Sequence, residues 1–226
     1  NGVVGDDIVE LTNHTVGIFT QKVVGTDILV STNMGITGID ASNYILTQPE
    51  VKADITKKGL IIKAEDKNKI YGSVDPGLTV SYDGFVLDED SSLISDLIIN
   101  RDAGENVDEY AITPSLATAD NYEITYEAGI FKINKKDLVI KADDKSKVYG
   151  DMDPEFTVSY DGFAYDDDSS CIRGLKFTRG TGENVGDYVI TPSEAVADNY
   201  TINFETVMIL VILHLMLGLL LMTMLQ

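Results

Sequence analysis

The chain has no tryptophan, one cysteine and two histidines, and sets only 17 basic residues against 37 acidic ones over 226 residues. Each shortage excludes something. A lone Cys171 cannot form an intramolecular disulfide, so stability has to come from burial. A formal charge of −20 argues against nucleic acid as a partner, because phosphate binding needs clustered Lys and Arg to release counterions. With His14 in one segment and His214 in an apolar tail, no nucleophile-base-orienter triad and no metal-binding His pair can be built. The chain is therefore not expected to be an enzyme, and no catalytic, cofactor-binding or metal residue is nominated. Asn1 to Gly5 is neither a basic nor an apolar leader, so the N-terminus reads as a cut edge.

What is present is a repeat. Offset by 78 positions, residues 57–126 match residues 135–204 without a gap at about 60% identity, the mark of tandem structural units. Thr79 to Phe85 returns unchanged as Thr157 to Phe163, Tyr71-Gly72 as Tyr149-Gly150, and Asp120-Asn121-Tyr122 as Asp198-Asn199-Tyr200. Residues 1–56 diverge and form a related but different unit.

Leu60, Ile62 and Ala64 alternate with Ile61, Lys63 and Glu65, and Leu78, Val80 and Tyr82 alternate with Thr79 and Ser81. That period of two predicts half-buried strands. Both runs stop at turn signals, Tyr71-Gly72 with Asp75-Pro76 and Asp83-Gly84, kept in the second copy as Asp153-Pro154 and Asp161-Gly162. Tyr122 to Tyr126, then Glu127-Ala128-Gly129, then Phe131 and Ile133 predict a closing β-hairpin. A short helix is expected at Asp88 to Ser95 and at Asp166 to Arg173, where acidic and Ser residues precede apolar ones as a cap does. The link Asn134-Lys135-Lys136 spans about 10 Å at most, so consecutive units must touch and a row of them should be semi-rigid.

Ala142 to Gly150, Asp153-Pro154, Gly182 to Tyr188 and Asn199 to Ile202, with their first-copy counterparts, resemble the MBG domain of bacterial adhesins. Gly5-Asp6-Asp7, Val16 to Phe19, Val24-Gly25-Thr26 and Ala41 to Pro49 leading to Ala53 to Thr56 resemble the later part of a YDG domain. These resemblances imply a mainly β chain of tandem small domains, immunoglobulin-like sandwiches or β-grasp-like sheets, in an elongated array with a short helix per MBG repeat. The expected organisation is a partial YDG-like domain at 1–56, MBG-like repeats at 57–134 and 135–205, the last strand of the second lost or replaced, and a hydrophobic tail at 206–226. They also imply a secreted, bacterial cell-surface location and a spacer role with neighbouring repeats as partners, the alternative being that the repeats bind a host glycan or matrix ligand.

After Phe204-Glu205 the sequence turns abruptly apolar. Val207 to Leu225 is long enough to cross a bilayer, and membrane contact is expected only if this tail is genuine. Because the repeat is broken within its last strand pair, a frameshift in the underlying gene is the competing reading. A third outcome is that Ile209 to Leu213 fills the missing strand.

Three features invite a chemical reading and a plainer one. Asp88-Glu89-Asp90 and Asp166-Asp167-Asp168 carry oxygen ligands for calcium, but lack the spacing of a calcium loop and read as solvated loops. The recurring tyrosines at 71, 82, 110, 122 and 126, matched at 149, 160, 188 and 200, could stack sugars but read as core or half-core packing. Cys171 reads as a small buried hydrophobe, not a reactive thiol.

Overall fold

In the computed structural model of the chain, residues 2–213 are described. The protein is mainly β. The strands of the first segment are β1 (Glu10–Thr12), β2 (Gly17–Phe19), β3 (Gly25–Thr32), β4 (Gly35–Thr37) and β5 (Val51–Ile55). The first repeat follows with β6 (Lys58–Ala64), β7 (Lys67–Ile70), β8 (Val80–Asp83), β9 (Ile98–Arg101), β10 (Glu109–Ser115), β11 (Tyr122–Glu127) and β12 (Gly129–Asn134). The second repeats the series as β13 (Lys136–Ala142), β14 (Lys145–Val148), β15 (Val158–Asp161), β16 (Lys176–Arg179), β17 (Gly186–Ser193), β18 (Tyr200–Glu205) and β19 (Val207–Ile212).

Two compact units organise these strands, and the division falls inside the first repeat. One unit comprises residues up to 64, 79–100 and 113–128; the other comprises 65–78, 101–112 and 129 onward. The first unit holds the sheets β1-β4, β2-β3-β5 and β11-β6-β8. In the last of these β6 pairs in parallel with β11 and antiparallel with β8.

The second unit contains the whole second repeat. β13 lies between β15, antiparallel, and β18, parallel; β19 lies between β14, parallel, and β17, antiparallel, with β16 on the outer side of β17. The same unit includes β7, parallel to β12, and the 109–112 part of β10, antiparallel to β12.

The expected alternation is realised on the strands. Leu60, Ile62 and Ala64 are buried, and so are Leu138, Ile140 and Ala142. The turns follow the expected chemistry as well. Gly84 and Gly162 take φ of 122° and 115°, and a Cβ there would come within 2.5 Å and 2.7 Å of the carbonyl oxygens of Gly59 and Asp137. Both the handedness and the space demand glycine.

Two expectations are corrected. The closing hairpin does not form: β11 pairs in parallel with β6, while β12 pairs in parallel with β7. Only Ala128 separates β11 from β12, and a chain reversal between strands needs at least two loop residues. The expected helix is likewise replaced by a single 3-10 turn, Ser91–Leu93 and Ser169–Cys171. The cap was legible even so, since the Asp90 and Asp168 carboxylates accept the backbone N–H of Ser92 and Ser170 at 2.8 Å. The residues beyond the cap then enter an extended conformation at Ile94 and Ile172, which stops the turn after three residues.

The apolar run after Glu205 supplies the last strand. Ile209 stands opposite Lys145 as Phe131 stands opposite Lys67, and Val211 takes the place of Ile133. Ile209 and Val211 are fully buried, whereas Met208, Leu210 and Ile212 are 50%, 44% and 39% exposed. Phe156, Phe177, Tyr188 and Val207 pack on the cluster of Ala142, Ile190 and Ile209. No helix among the described residues is long and apolar enough to cross a membrane. The frameshift and membrane-anchor readings of the tail concern in part residues 214–226, which lie outside the described residues, as does His214.

Candidate functional site

The most elaborate polar constellation of the second unit lies where the second repeat meets residues 69–78 and 101–112 of the first. Just past β7 lies Tyr71, whose backbone N–H donates to the Asn134 carbonyl at 2.9 Å. The Tyr71 side chain is buried, its ring edge-on to Tyr165 at 5.3 Å and to Tyr200 at 5.5 Å. Asp167 accepts hydrogen bonds from both phenols, at 2.9 Å from Tyr71 and 2.6 Å from Tyr200. Burial, and then this carboxylate, push the Tyr71 phenol up to about 12 and raise that of Tyr200 as well. Gly72 adopts φ 83°, and a Cβ on it would sit 2.5 Å from the Ala164 methyl, so the contact closes on a glycine.

Asn199 ties the same two segments. Its Oδ1 accepts the Val107 N–H at 2.9 Å, and its Nδ2 donates to Asn106 Oδ1 at 3.0 Å. Tyr165, in a left-handed conformation at φ 51°, donates its hydroxyl to Glu105 Oε2 at 3.0 Å. The first unit uses the equivalent asparagine in the same way, with Asn121 Oδ1 accepting the Val24 N–H at 3.1 Å. There Tyr122 donates to Glu89 and accepts the Val86 N–H at 3.2 Å.

Beside this contact lies an ion cluster whose cations are buried and whose carboxylates reach the surface. Lys69, with 4% of its side chain exposed, pairs with Asp75 at 2.8 Å and with Glu105. Arg101 pairs with the same two carboxylates at 2.6 Å and 2.5 Å. Two cations and two anions close the quartet, which offsets the cost of removing them from water. Arg101 holds the Asp75 carboxyl below its usual range, and Lys69 does the same for Glu105. Burial works against charge on Lys69, but the two carboxylates outweigh it and raise its pKa. A lysine so held is a structural cation and a poor base. The second repeat rebuilds the cluster with Lys147, Asp153, Glu183 and Arg179.

The structure places the sequence candidates as follows. In each acidic triplet the third residue caps the 3-10 turn, the middle one accepts a tyrosine hydroxyl, and the first is exposed. No group of three or more metal-ligating side chains occurs among the described residues. His14 is exposed. Cys171 is half-buried, a correction to the expected full burial, because it closes a surface turn and sits outside the sheet core. Partial burial raises its thiol pKa. Tyr71, Tyr122 and Tyr200 are core residues, Tyr82, Tyr110, Tyr160 and Tyr188 are half-buried, and Tyr126 and Tyr149 are exposed. Sequence reasoning passed over Lys69 and Arg101 and took the two asparagines only as marks of the repeat. Their signal was identity between the copies at polar positions, where a solvated side chain has no reason to be kept.

No curated protein matches the chain. The family model of the MBG domain (YGX type) matches residues 60–132 and again 138–207, and each match contains a Tyr-Gly pair, Tyr71-Gly72 and Tyr149-Gly150. Over both repeats, the chain belongs to the MBG domain (YGX type) family.

Proposed function

We propose that the chain is a run of structural spacer repeats from a secreted bacterial cell-surface adhesin, one that projects a distal binding region. The observation that carries this reading is the direct docking of the second repeat on the Tyr71 and Val107 segments of the first, across a connection of three residues. Partly buried hydrogen bonds, a glycine contact and edge-on rings at a joint serve a fixed orientation. A flexible linker would need none of them. Neighbouring repeats are the partners in this reading, and the location is extracellular. Residues 1–56 are read as the later part of a YDG-like domain, on the resemblance of their sequence. In each repeat the parallel pairing of its first strand with its last but one, β6 with β11 and β13 with β18, supports a β-grasp-like plan over an immunoglobulin-like sandwich, whose sheets are antiparallel.

The test combines small-angle scattering of the chain with glycan and mucin arrays. A spacer gives the extended profile of domains in a row and no saturable binding. Saturable binding to a glycan or matrix component would replace the spacer reading with a ligand-binding one.

A further inference from the structure

The two Tyr-Gly pairs have the same local sequence role and opposite surroundings. Tyr71 is 5% exposed, whereas Tyr149 is 52% exposed. The backbone of both is held alike, since Tyr149 N–H donates to the Ile212 carbonyl at 2.8 Å as Tyr71 does to Asn134. Only the cover differs. A Cβ on Gly72 would strike Ala164, whereas around Gly150 nothing lies within 4 Å. Val107 gives its N–H to Asn199, while Val185, its counterpart, is 56% exposed and has no such partner among the described residues.

A second observation points the same way. In the first ion cluster Glu105 is held from outside by Tyr165, and Arg101 reaches Asp75 through Nε at 2.6 Å and Glu105 through Nη2 at 2.5 Å. In the second cluster no tyrosine reaches Glu183 among the described residues, and Arg179 contacts it through Nη1 at 3.4 Å. Nε and Nη2 of Arg179 are left without a hydrogen-bond partner, although only 9% of that side chain is exposed. Arg179 Nε still faces Asp153 at 3.4 Å, so the second cluster is a looser copy of the first, and the first differs from it in having Tyr165 on its glutamate.

We infer that the face formed by Tyr149, Gly150, Glu183, Asn184 and Val185 is a docking surface for one further module of this family. That module would enter with its own counterparts of Ala164, Tyr165, Asp167 and Asn199. The recognition is specific in kind: a methyl against Gly150, a carboxylate for the Tyr149 hydroxyl, an asparagine for the Val185 N–H and a phenol for Glu183. The inference rests on the spacer reading and names the contact by which such an array is extended.

The test inserts a second copy of residues 135–212 between Ile212 and Leu213, which reproduces the spacing of the existing joint, and follows tyrosine nitration by mass spectrometry. In the unaltered chain Tyr149 is nitrated and Tyr71 is protected. In the extended chain Tyr149 falls to the level of Tyr71, a drop of about tenfold from the 52% to 5% ratio of exposures. An inserted copy that carries Ala164→Arg restores labelling, because the bulky cation meets Gly150. A parallel insertion of residues 57–134 carrying Val86→Ala and Leu87→Tyr, which supplies the same methyl and phenol, guards against a copy that does not fold. The inference is overturned if Tyr149 stays labelled while the inserted module is folded and its own Tyr200 is protected, or if both inserted modules remain unfolded on that face. Either result leaves the spacer reading to the scattering and array measurements, so the two fail separately.

Discussion

Replacing Ile209 by Ala tests whether the apolar run after Glu205 is a true strand of the second repeat. Ile209 is fully buried in β19, between β14 and β17, and packs with Ala142 and Ile190. Truncating such a residue removes its transfer free energy and leaves a cavity, about 2–5 kcal/mol together. Its neighbour Leu210 is 44% exposed on the opposite face, so Leu210→Ala should stay within about 0.5 kcal/mol of the parent. The assay is amide hydrogen exchange over residues 186–193, the strand that β19 pairs with. At about 1.4 kcal/mol per tenfold, Ile209→Ala accelerates exchange roughly 30-fold to several-thousand-fold, while Leu210→Ala leaves it nearly unchanged. The reasoning is refuted if the two variants behave alike, because an apolar stretch that merely lay on the domain would show no alternation of period two.

Three further outcomes follow from the joint, the ion cluster and the turns. Tyr71 has its pKa raised from 10 to about 12 in the folded state, so the stability it brings is fully present below pH 10 and is lost as pH climbs toward 12. The loss is at most about 3 kcal/mol, and tyrosinate absorbance during alkaline titration should show a late phase that Asp167→Asn moves to lower pH. Asp75 and Glu105 have depressed values, so their contribution is present above the ordinary carboxylate range and disappears as pH falls through their lowered values. Acid unfolding of Lys69→Met should therefore show a shallower pH dependence than the parent. Gly84→Ala and Gly162→Ala should each cost more than about 1 kcal/mol in urea unfolding, whereas Gly59→Ala, with open space around it, should be tolerated.

The sequence by itself determined much of this protein. The offset of 78 residues marks the repeated sequence, and period-two alternation at Leu60, Ile62 and Ala64 names a buried face, because a strand turns successive side chains to opposite sides whatever it pairs with. Gly84 and Gly162 announced their turns, since the backbone conformation itself selects glycine. What β11 and β12 pair with was decided only in three dimensions. Local pattern reads a strand but not its partner, and β6 and β7 lie some sixty residues earlier in the chain. The same holds for Ile209 and Val211, whose apolar neighbours hid the alternation until the pairing with β14 and β17 buried one face. The joint was the least legible. Asp167, Asn199 and Tyr71 gain their meaning from contacts with residues 92 and 96 positions away, and Tyr71 and Tyr149 carry the same local motif in different environments. That difference arises from packing of one repeat on another, a quantity no local stretch of sequence contains.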